Sequence, residues 1–256
     1  MDNKQYYDSI SSSSLNANML IKYMKKFEYL RESLENLALS PRFSEENYKY
    51  MGLSFNGKEI KKLQVPMVCF CDIGFSRIDN HVKEYGFYGI ALTKEWGLKN
   101  NITPIHYVIR NCDITNELKK VSNLANSLGY NELYSYVFNY CFYSKEIVGS
   151  QNGEIRLFSD EQEWRFIPKL SKKFTTIKQF YIADEAEYNF NHLSDAMKEI
   201  DELQLKFTID DIKYIVVPDQ TEYKKIIEVI KEINITDEEK ILLYTKIRKI
   251  EESEDY

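Results

Sequence analysis

KLQVPMVCFCDIGFSRIDNHVKEYGFYGIALTKEWGLKNNITPIHY, from Lys62 to Tyr107, is the stretch of sequence that decides the fold. It contains three short apolar runs, which extend from Val65 to Ile73, from Tyr85 to Leu92 and from Pro104 to Ile109. Apolar runs of this length, separated by polar segments, are typical of strands that are buried on both faces. The pattern therefore predicts three adjacent strands of one buried sheet.

Helical periodicity is present on both sides of this stretch. Apolar residues recur at three- and four-residue steps and predict an amphipathic helix over Lys25–Leu37. A helical pair is predicted at about residues 115–145, and C-terminal helices follow later in the chain. In the last of them, Thr236 and Glu239 have the spacing of a capping box.

These elements predict an α+β or mixed α/β fold with a central mixed sheet in a single domain. We expect residues 1–18 to form a flexible arm, 19–218 the α/β core and 219–256 a C-terminal helical segment. Glu45–Met51 is predicted to be a loop or short turn, and Gly149–Gly153 is predicted to be a flexible loop.

The composition excludes several classes of protein. The chain has 34 Lys and Arg against 40 Asp and Glu, a net charge of −6, so nucleic acid, which needs a basic face, is not expected as a partner. The four cysteines lack zinc-binding spacing and are expected to be small core residues, without a metal, in a reducing compartment. No apolar run approaches the roughly 20 residues of a membrane span, which predicts a cytoplasmic protein.

The segment SDEQEWRFIP places Glu163 and Arg165 two residues apart on a predicted strand. In one interpretation they form a polar site, where Glu163 stabilises a developing cation and Arg165 binds a phosphate or carboxylate. In the other they are a structural ion pair beside a packed Trp164. Glu161 would share the strand face of Glu163, so that like charges would raise one carboxyl pKa if both were buried.

Four other residues are candidates for a site. His81, on a predicted short helix, has the chemistry of a general base, although a His there often only satisfies the backbone. Asp72 closes a core strand and would either point into a cleft or cap the following turn. Tyr85 and Tyr88 would stack on a base or nicotinamide ring, or else pack in the core.

Three blocks of the sequence resemble the AbiGi family of abortive-infection proteins. They are LIKYMKKFEYLRESLENLALSPRFSEENY, then VPMVCFCDI with the following His81 and YGFYGIALTKEWGLKNNITPIHY, and FSDEQEWRFIP. The resemblance implies an accessory or antitoxin role in bacterial phage defence, in which the chain binds a partner protein. That partner would be a nucleotidyltransferase-like toxin or, in a third hypothesis, a phage protein that the chain senses.

A looser likeness extends to mono-ADP-ribosyltransferase-like folds, and it implies NAD or another nucleotide as ligand. In such folds, a His and a Thr of the first strand hold the nucleotide, whereas this chain has Lys22 and Met24 there. Lys donates hydrogen bonds but cannot accept them, and Met does neither usefully. We therefore expect a chain that is not catalytic and needs no cofactor. In the enzymatic alternative, Lys22 joins the ligand-binding candidates.

Overall fold

A computed structural model of the chain describes residues 18–55, 57–75, 79–151, 153–170, 177–183 and 188–250, apart from the side chains of 79–81 and 151. The described α-helices are α1 (Phe27–Asn36), α2 (Asp79–Tyr85), α3 (Lys94–Lys99), α4 (Asp113–Leu128), α5 (Asn131–Phe142), α6 (Phe190–Lys198), α7 (Gln220–Glu232) and α8 (Asp237–Lys246). The described strands are β1 (Met19–Met24), β2 (Ala38–Leu39), β3 (Arg42–Asn47), β4 (Ser54–Phe55), β5 (Lys58–Glu59), β6 (Lys62–Cys71), β7 (Tyr88–Thr93), β8 (Thr103–Pro104), β9 (His106–Val108), β10 (Ser144–Glu146), β11 (Val148–Gln151), β12 (Glu154–Leu157), β13 (Glu163–Phe166), β14 (Tyr181–Ile182), β15 (Leu205–Lys206), β16 (Ile212–Val217) and β17 (Ile247–Lys249). The predicted mixed α/β class is confirmed.

The chain folds into two compact units, each built from separate stretches of sequence. The first unit comprises the chain up to Leu39, Cys69–Ile102 and the chain from Gln204 onward. The second comprises Ser40–Val68 and Thr103–Leu203. The prediction of a single domain with a core over 19–218 stays a prediction, and the predicted arm lies outside the described residues except for residue 18.

The first unit contains a mixed sheet. Strands β16 and β17 are parallel, whereas β16 and β7, and β7 and β1, are antiparallel. On the other side of β1, Ile21 pairs with Cys71 at the end of β6. One face of this sheet buries Ile21, Tyr23 and Cys71 in a cluster with Val82 of α2. Residues of β1 alternate between the two faces, as the pleat of a strand requires.

The second unit is assembled from shorter pairings. Strand β3 runs antiparallel to β6, from Arg42 opposite Met67 to Asn47 opposite Lys62, and β14 also pairs with β6. Strand β13 pairs with β8, β9 with β10, and β11 with β12 in a hairpin. Helices α4 and α5 are the predicted helical pair, which is confirmed with bounds of 113–142.

The prediction that the three apolar runs are adjacent strands is wrong. Strand β1 lies between β7 and the end of β6, so these two runs are not neighbours. The third run is split into β8 and β9, which pair with β13 and β10 instead. Pairing partners of strands are chosen by packing over long sequence separations, which apolar runs alone do not encode.

The second run also begins later than predicted. Tyr85 ends helix α2, and Gly86 has a φ of 109°, so strand β7 starts only at Tyr88. A Cβ atom at Gly86 would lie 2.1 Å from the carbonyl oxygen of Met24. Only glycine therefore allows the chain to turn this close to β1.

Both predicted loops contain strands. In the first, residues 45–47 form the end of β3, because they pair with β6 on a partly exposed ladder, whereas Lys49–Met51 form a short 3-10 helix. In the second, residues 149–151 belong to β11, which pairs with β12. In contrast, the capping box of Thr236 and Glu239 is confirmed, with both reciprocal hydrogen bonds present.

Candidate functional site

Arg165 is the most deeply buried charged residue among those described, and its guanidinium is held by three residues of the second unit. Its Nε donates to Oε1 of Glu163 over 2.6 Å, and its Nη2 donates to Oε2 of Glu46 over 2.9 Å. Its Nη1 donates to the carbonyl oxygen of Phe142 over 2.8 Å. Glu163 and Arg165 lie two residues apart on β13, so that both side chains point to the same face.

Lys145 extends this cluster from strand β10. Its Nζ lies 3.2 Å from Oε2 of Glu163 and 2.6 Å from Oε2 of Glu161. The same ammonium lies 4.6 Å above the centre of the Phe158 ring. Glu161 belongs to a short 3-10 helix and not to the strand, so the prediction that it shares a strand face with Glu163 is wrong. One cation between the two carboxylates offsets their repulsion.

The backbone of Glu163 is fixed as firmly as its side chain. Its N–H donates to the hydroxyl oxygen of Tyr107 over 2.8 Å, and its carbonyl oxygen accepts from the N–H of Ile105 over 3.1 Å. Burial raises the pKa of Tyr107, which keeps this phenol protonated. Strand β13 is therefore held in position by the backbone hydrogen bonds of Glu163 and by the ion pairs of its side chain.

This ion cluster, which consists of Glu46, Lys145, Glu161, Glu163 and Arg165, joins β3, β10 and β13 within the second unit. The contact between Glu163 and Arg165 that the structural interpretation expected is present. The Nε, Nη1 and Nη2 atoms of the guanidinium each donate to an oxygen of the protein itself. Trp164, by contrast, is only partly buried and is not the core anchor that this interpretation expected.

Sequence reasoning missed Glu46, Lys145 and Tyr107 as members of this cluster. Glu46 lies 119 positions from Arg165 along the chain, and no spacing or motif links the two. The one usable signal was the alternation of partly buried and exposed positions that a strand produces around Glu46. This signal is weak in the sequence because most residues of the segment are polar or charged. Long-range ion pairs are decided by strand pairing, which the sequence alone did not show.

Asp72 and Tyr88, both in the first unit, lie at opposite ends of strand β1. Asp72 follows the Ile21–Cys71 pair and forms a buried ion pair with Lys94, whose Nζ lies 2.6 Å from its Oδ2. Tyr88 pairs with Met24 at the other end of the strand. The antiparallel register places Asp72 opposite Leu20, four residue steps from Met24, which is about 13 Å along the strand. The structure therefore does not bring these two candidates together.

The other candidates of the first unit have different surroundings. Lys22 lies in the middle of β1 opposite Ile90 and is partly buried, and Tyr85 packs against the apolar cluster beneath α2. Helix α2 carries His81, whose side chain lies outside the described residues. Burial and the nearby Glu222 carboxylate raise the pKa of Tyr88 to about 12.

Glu163 and Arg165 belong to the second unit, whereas the other five candidates belong to the first. In the described part of the chain, no three His, Cys, Asp or Glu side chains form a group that would hold a metal ion. Within those same ranges, no helix has the length and apolarity needed to cross a membrane.

The chain has recognisable relatives. A family model described as "Putative abortive phage resistance protein AbiGi, antitoxin" matches residues 37–218. The "Abortive phage resistance protein AbiGi" of Lactococcus lactis subsp. cremoris is 31% identical over 221 residues, which cover 76% of this chain and 88% of that protein. No solved structure matches the chain.

Proposed function

The chain belongs to the AbiGi family of abortive phage resistance proteins, and from this premise we propose that it is an antitoxin that acts by binding a protein toxin. The observation that carries the proposal is the extent of the family match, which covers residues 37–218 and therefore segments of both compact units. The partner would be the nucleotidyltransferase-like toxin that the family resemblance implies.

The surroundings of Glu163 and Arg165 support a binding protein in which these residues have a structural role. The guanidinium of Arg165 donates to two carboxylates and one carbonyl oxygen of its own unit. A phosphate that bound there would have to displace these charge-assisted hydrogen bonds, which are stronger than neutral ones. We propose that the ion cluster holds strands β3, β10 and β13 in place, and that it does not act on a substrate.

The test is coexpression of the chain with the product of the adjacent gene, with cell growth and copurification as readouts. We expect the neighbouring protein to arrest growth when expressed alone, and the chain to restore growth and to copurify with it. Direct titration of the two purified proteins then gives the affinity. If the chain neither binds nor neutralises its neighbour, or if it arrests growth by itself, the proposal is wrong.

Two variants separate binding from catalysis. Glu163→Gln keeps the shape of the side chain but removes its charge, and Lys22→Ala removes the cation from the position where mono-ADP-ribosyltransferase-like folds carry a His. We expect both variants to restore growth as the unmodified chain does, provided that they remain folded by circular dichroism. Loss of growth rescue in a folded Glu163→Gln variant, together with heat of NAD binding to the unmodified chain, would support the enzymatic alternative.

A further inference from the structure

Two adjoining cavities lie in the second unit, and none of the five residues of the ion cluster lines them. Their volumes are about 290 Å³ and about 440 Å³. Both are lined by Phe55, Gln179 and Phe180. We refer to the two together as the aromatic cleft. Their lining is mostly aromatic with a few polar groups, which is typical of a binding site for a small molecule.

Helix α5 forms one wall of the aromatic cleft. Tyr134, Phe138 and Phe142 follow one another at four-residue steps, so that their rings lie one above the other along the helix. Their planes differ by 21° and by 27°. Phe180 stacks against Phe138 with ring centres 4.4 Å apart. The planes of these rings are nearly parallel to one another, so a planar ligand can stack on an open ring face of this wall.

The cleft offers one hydrogen-bond donor that the protein does not use within its described residues. The hydroxyl oxygen of Tyr134 is buried and has no hydrogen-bond partner among the residues that the structure describes. A buried hydroxyl without a partner costs free energy, which a ligand acceptor would recover after a rotation of the Tyr134 side chain brings this covered oxygen to the cavity. Gln179 is held in place, since its amide accepts from Leu170 and donates to the carbonyl oxygen of Pro168.

The charge of the lining is unusual for this acidic chain. Neither cavity has an Asp or Glu among the described residues that line it, and Lys178 lines the larger one. Asn131, Ser135 and Asn139 supply neutral polar groups at the rim of the smaller cavity. The neutral lining of the smaller cavity suits an uncharged planar ring. The ammonium of Lys178 in the larger cavity attracts a negatively charged group of the same ligand.

We propose that the aromatic cleft binds the base of a nucleotide. The base stacks on the wall of α5 and accepts a hydrogen bond from Tyr134, and the phosphate lies toward Lys178. Stacking on aromatic side chains tolerates any base, so selectivity among bases comes from the Tyr134 hydroxyl and the amides of the rim. This site is independent of the proposed antitoxin function, since the chain can bind a toxin with or without a ligand there.

The experiment is calorimetric titration of the intact chain with AMP, GMP, CMP and UMP in turn. We expect at least one of them to bind at a single site with a Kd below about 1 mM. Tyr134→Phe removes only the hydroxyl and is expected to weaken binding by about tenfold. Phe180→Leu removes a stacking ring and is expected to weaken binding by at least about tenfold.

A matched pair of tryptophan variants locates the site. Ser135 and Ser127 are both exposed, and each donates to a helical carbonyl oxygen one turn earlier. Ser135 lines the cleft and Ser127 does not. Ser135→Trp should abolish nucleotide binding, whereas Ser127→Trp should leave the affinity unchanged.

Two outcomes would overturn the proposal. The first is the absence of saturable heat with all four nucleotides at millimolar concentration. The second is binding that Ser135→Trp leaves intact, which would place the nucleotide elsewhere. If Ser135→Trp lowers the affinity for a toxin that the unmodified chain binds, and no nucleotide binds, the cleft receives a side chain of the partner. In that case the nucleotide proposal fails while the antitoxin proposal stands.

Discussion

The Nε atom of Arg165 lies 2.6 Å from Oε1 of Glu163, a residue of the same strand, and both side chains are buried. Two buried charges so close stabilise each other only if their remaining donors and acceptors are also satisfied. Here Glu46 and the carbonyl oxygen of Phe142 accept hydrogen bonds from the other nitrogens of the guanidinium. Lys145 lies near the second carboxylate oxygen of Glu163. The stability of the second unit therefore depends on keeping this cluster whole.

Replacing Arg165 by methionine should destabilise the protein strongly. Arg165→Met keeps much of the volume but leaves the carboxylates of Glu46 and Glu163 buried without their shared cation. Removal of one partner from a buried pair costs about 3–5 kcal/mol. The free energy of unfolding in urea, monitored by circular dichroism, measures the loss.

Arg156→Met is the matched control for this prediction. Arg156 lies 3.5 Å from Glu154 on the exposed hairpin, and the Glu154 side chain is largely accessible to water. Exposed pairs of this kind contribute about 0–1 kcal/mol, so the control variant should be nearly as stable as the unmodified chain. Equal and small losses in both variants would mean that the buried cluster does not stabilise the fold.

Gly86→Ala should be among the most destabilising single changes in the first unit. The added Cβ would lie 2.1 Å from the carbonyl oxygen of Met24, and Gly86 has a positive φ of 109°. Overpacking and backbone strain each cost about 1–3 kcal/mol, so we expect a total loss of about 2–6 kcal/mol. Thermal unfolding followed by calorimetry is the measurement.

Gly129→Ala separates the cost of backbone strain from the cost of overpacking. Gly129 ends helix α4 with a φ of 66°, but a Cβ there meets no atom within 4 Å. Only the strain of the left-handed conformation remains, which costs about 1–2 kcal/mol. If Gly129→Ala is as damaging as Gly86→Ala, the close approach to Met24 does not decide the stability of this turn.

The four cysteines should differ in their reactivity toward an alkylating reagent at pH 8. Burial raises the pKa of Cys71 and of Cys141 to about 12, whereas a hydrogen bond from the Thr115 backbone lowers that of the partly exposed Cys112. Only the thiolate reacts, so a pKa about three units higher makes Cys71 about a thousandfold less reactive than an ordinary thiol. Mass spectrometry after timed iodoacetamide treatment should find Cys112 modified first.

The same pKa differences give a direction for the dependence of stability on pH. An unfolded thiol has a pKa near 9 and loses its proton above that pH, whereas Cys71 keeps its proton in the folded chain. The contribution of this group to stability is therefore complete below pH 9 and falls as the pH rises toward 12. Cys71→Ala should reduce this alkaline loss, and an unchanged pH profile in that variant would contradict the assignment.

The sequence was sufficient to predict elements that depend on interactions between residues close together in the chain. The capping box of Thr236 and Glu239 depends on residues three positions apart, and its hydrogen bonds are found as predicted. The helix after Lys25 was equally readable, because its apolar stripe repeats every three to four residues. In both cases, the information lies within one or two turns of the chain.

Sheet order and the ion cluster could not be predicted in this way. Strand β1 lies between β7 and Cys71 because its apolar residues pack on both sides, and no pattern within a run specifies its neighbour. Likewise, Glu46 reaches Arg165 only after β3 and β13 have been placed by pairings elsewhere in the chain. Both features arise from tertiary packing.

Lys145 and Glu161 should show a large coupling in a double-mutant cycle. Lys145→Met leaves Glu161 and Glu163 close together without their shared cation, and we expect it to cost about 2–4 kcal/mol. In a Glu161→Gln background the same change leaves one carboxylate fewer to repel, and so should cost less. We expect a coupling of about 1–3 kcal/mol from urea unfolding of the four proteins.

The exposed pair Lys120 and Glu117 provides the comparison cycle, because its Nζ–Oε1 distance is also 2.6 Å but both side chains are largely in water. The buried pair differs from the exposed one in its burial and in the second carboxylate, that of Glu163, near Lys145. Solvent reduces the coupling of the exposed pair to below about 0.5 kcal/mol. Additive effects of Lys145→Met and Glu161→Gln would show that Lys145 does not offset the repulsion between the two carboxylates. The position of β13 would then depend on Arg165, on the hydrogen bond to Tyr107 and on the backbone pairing of the strand.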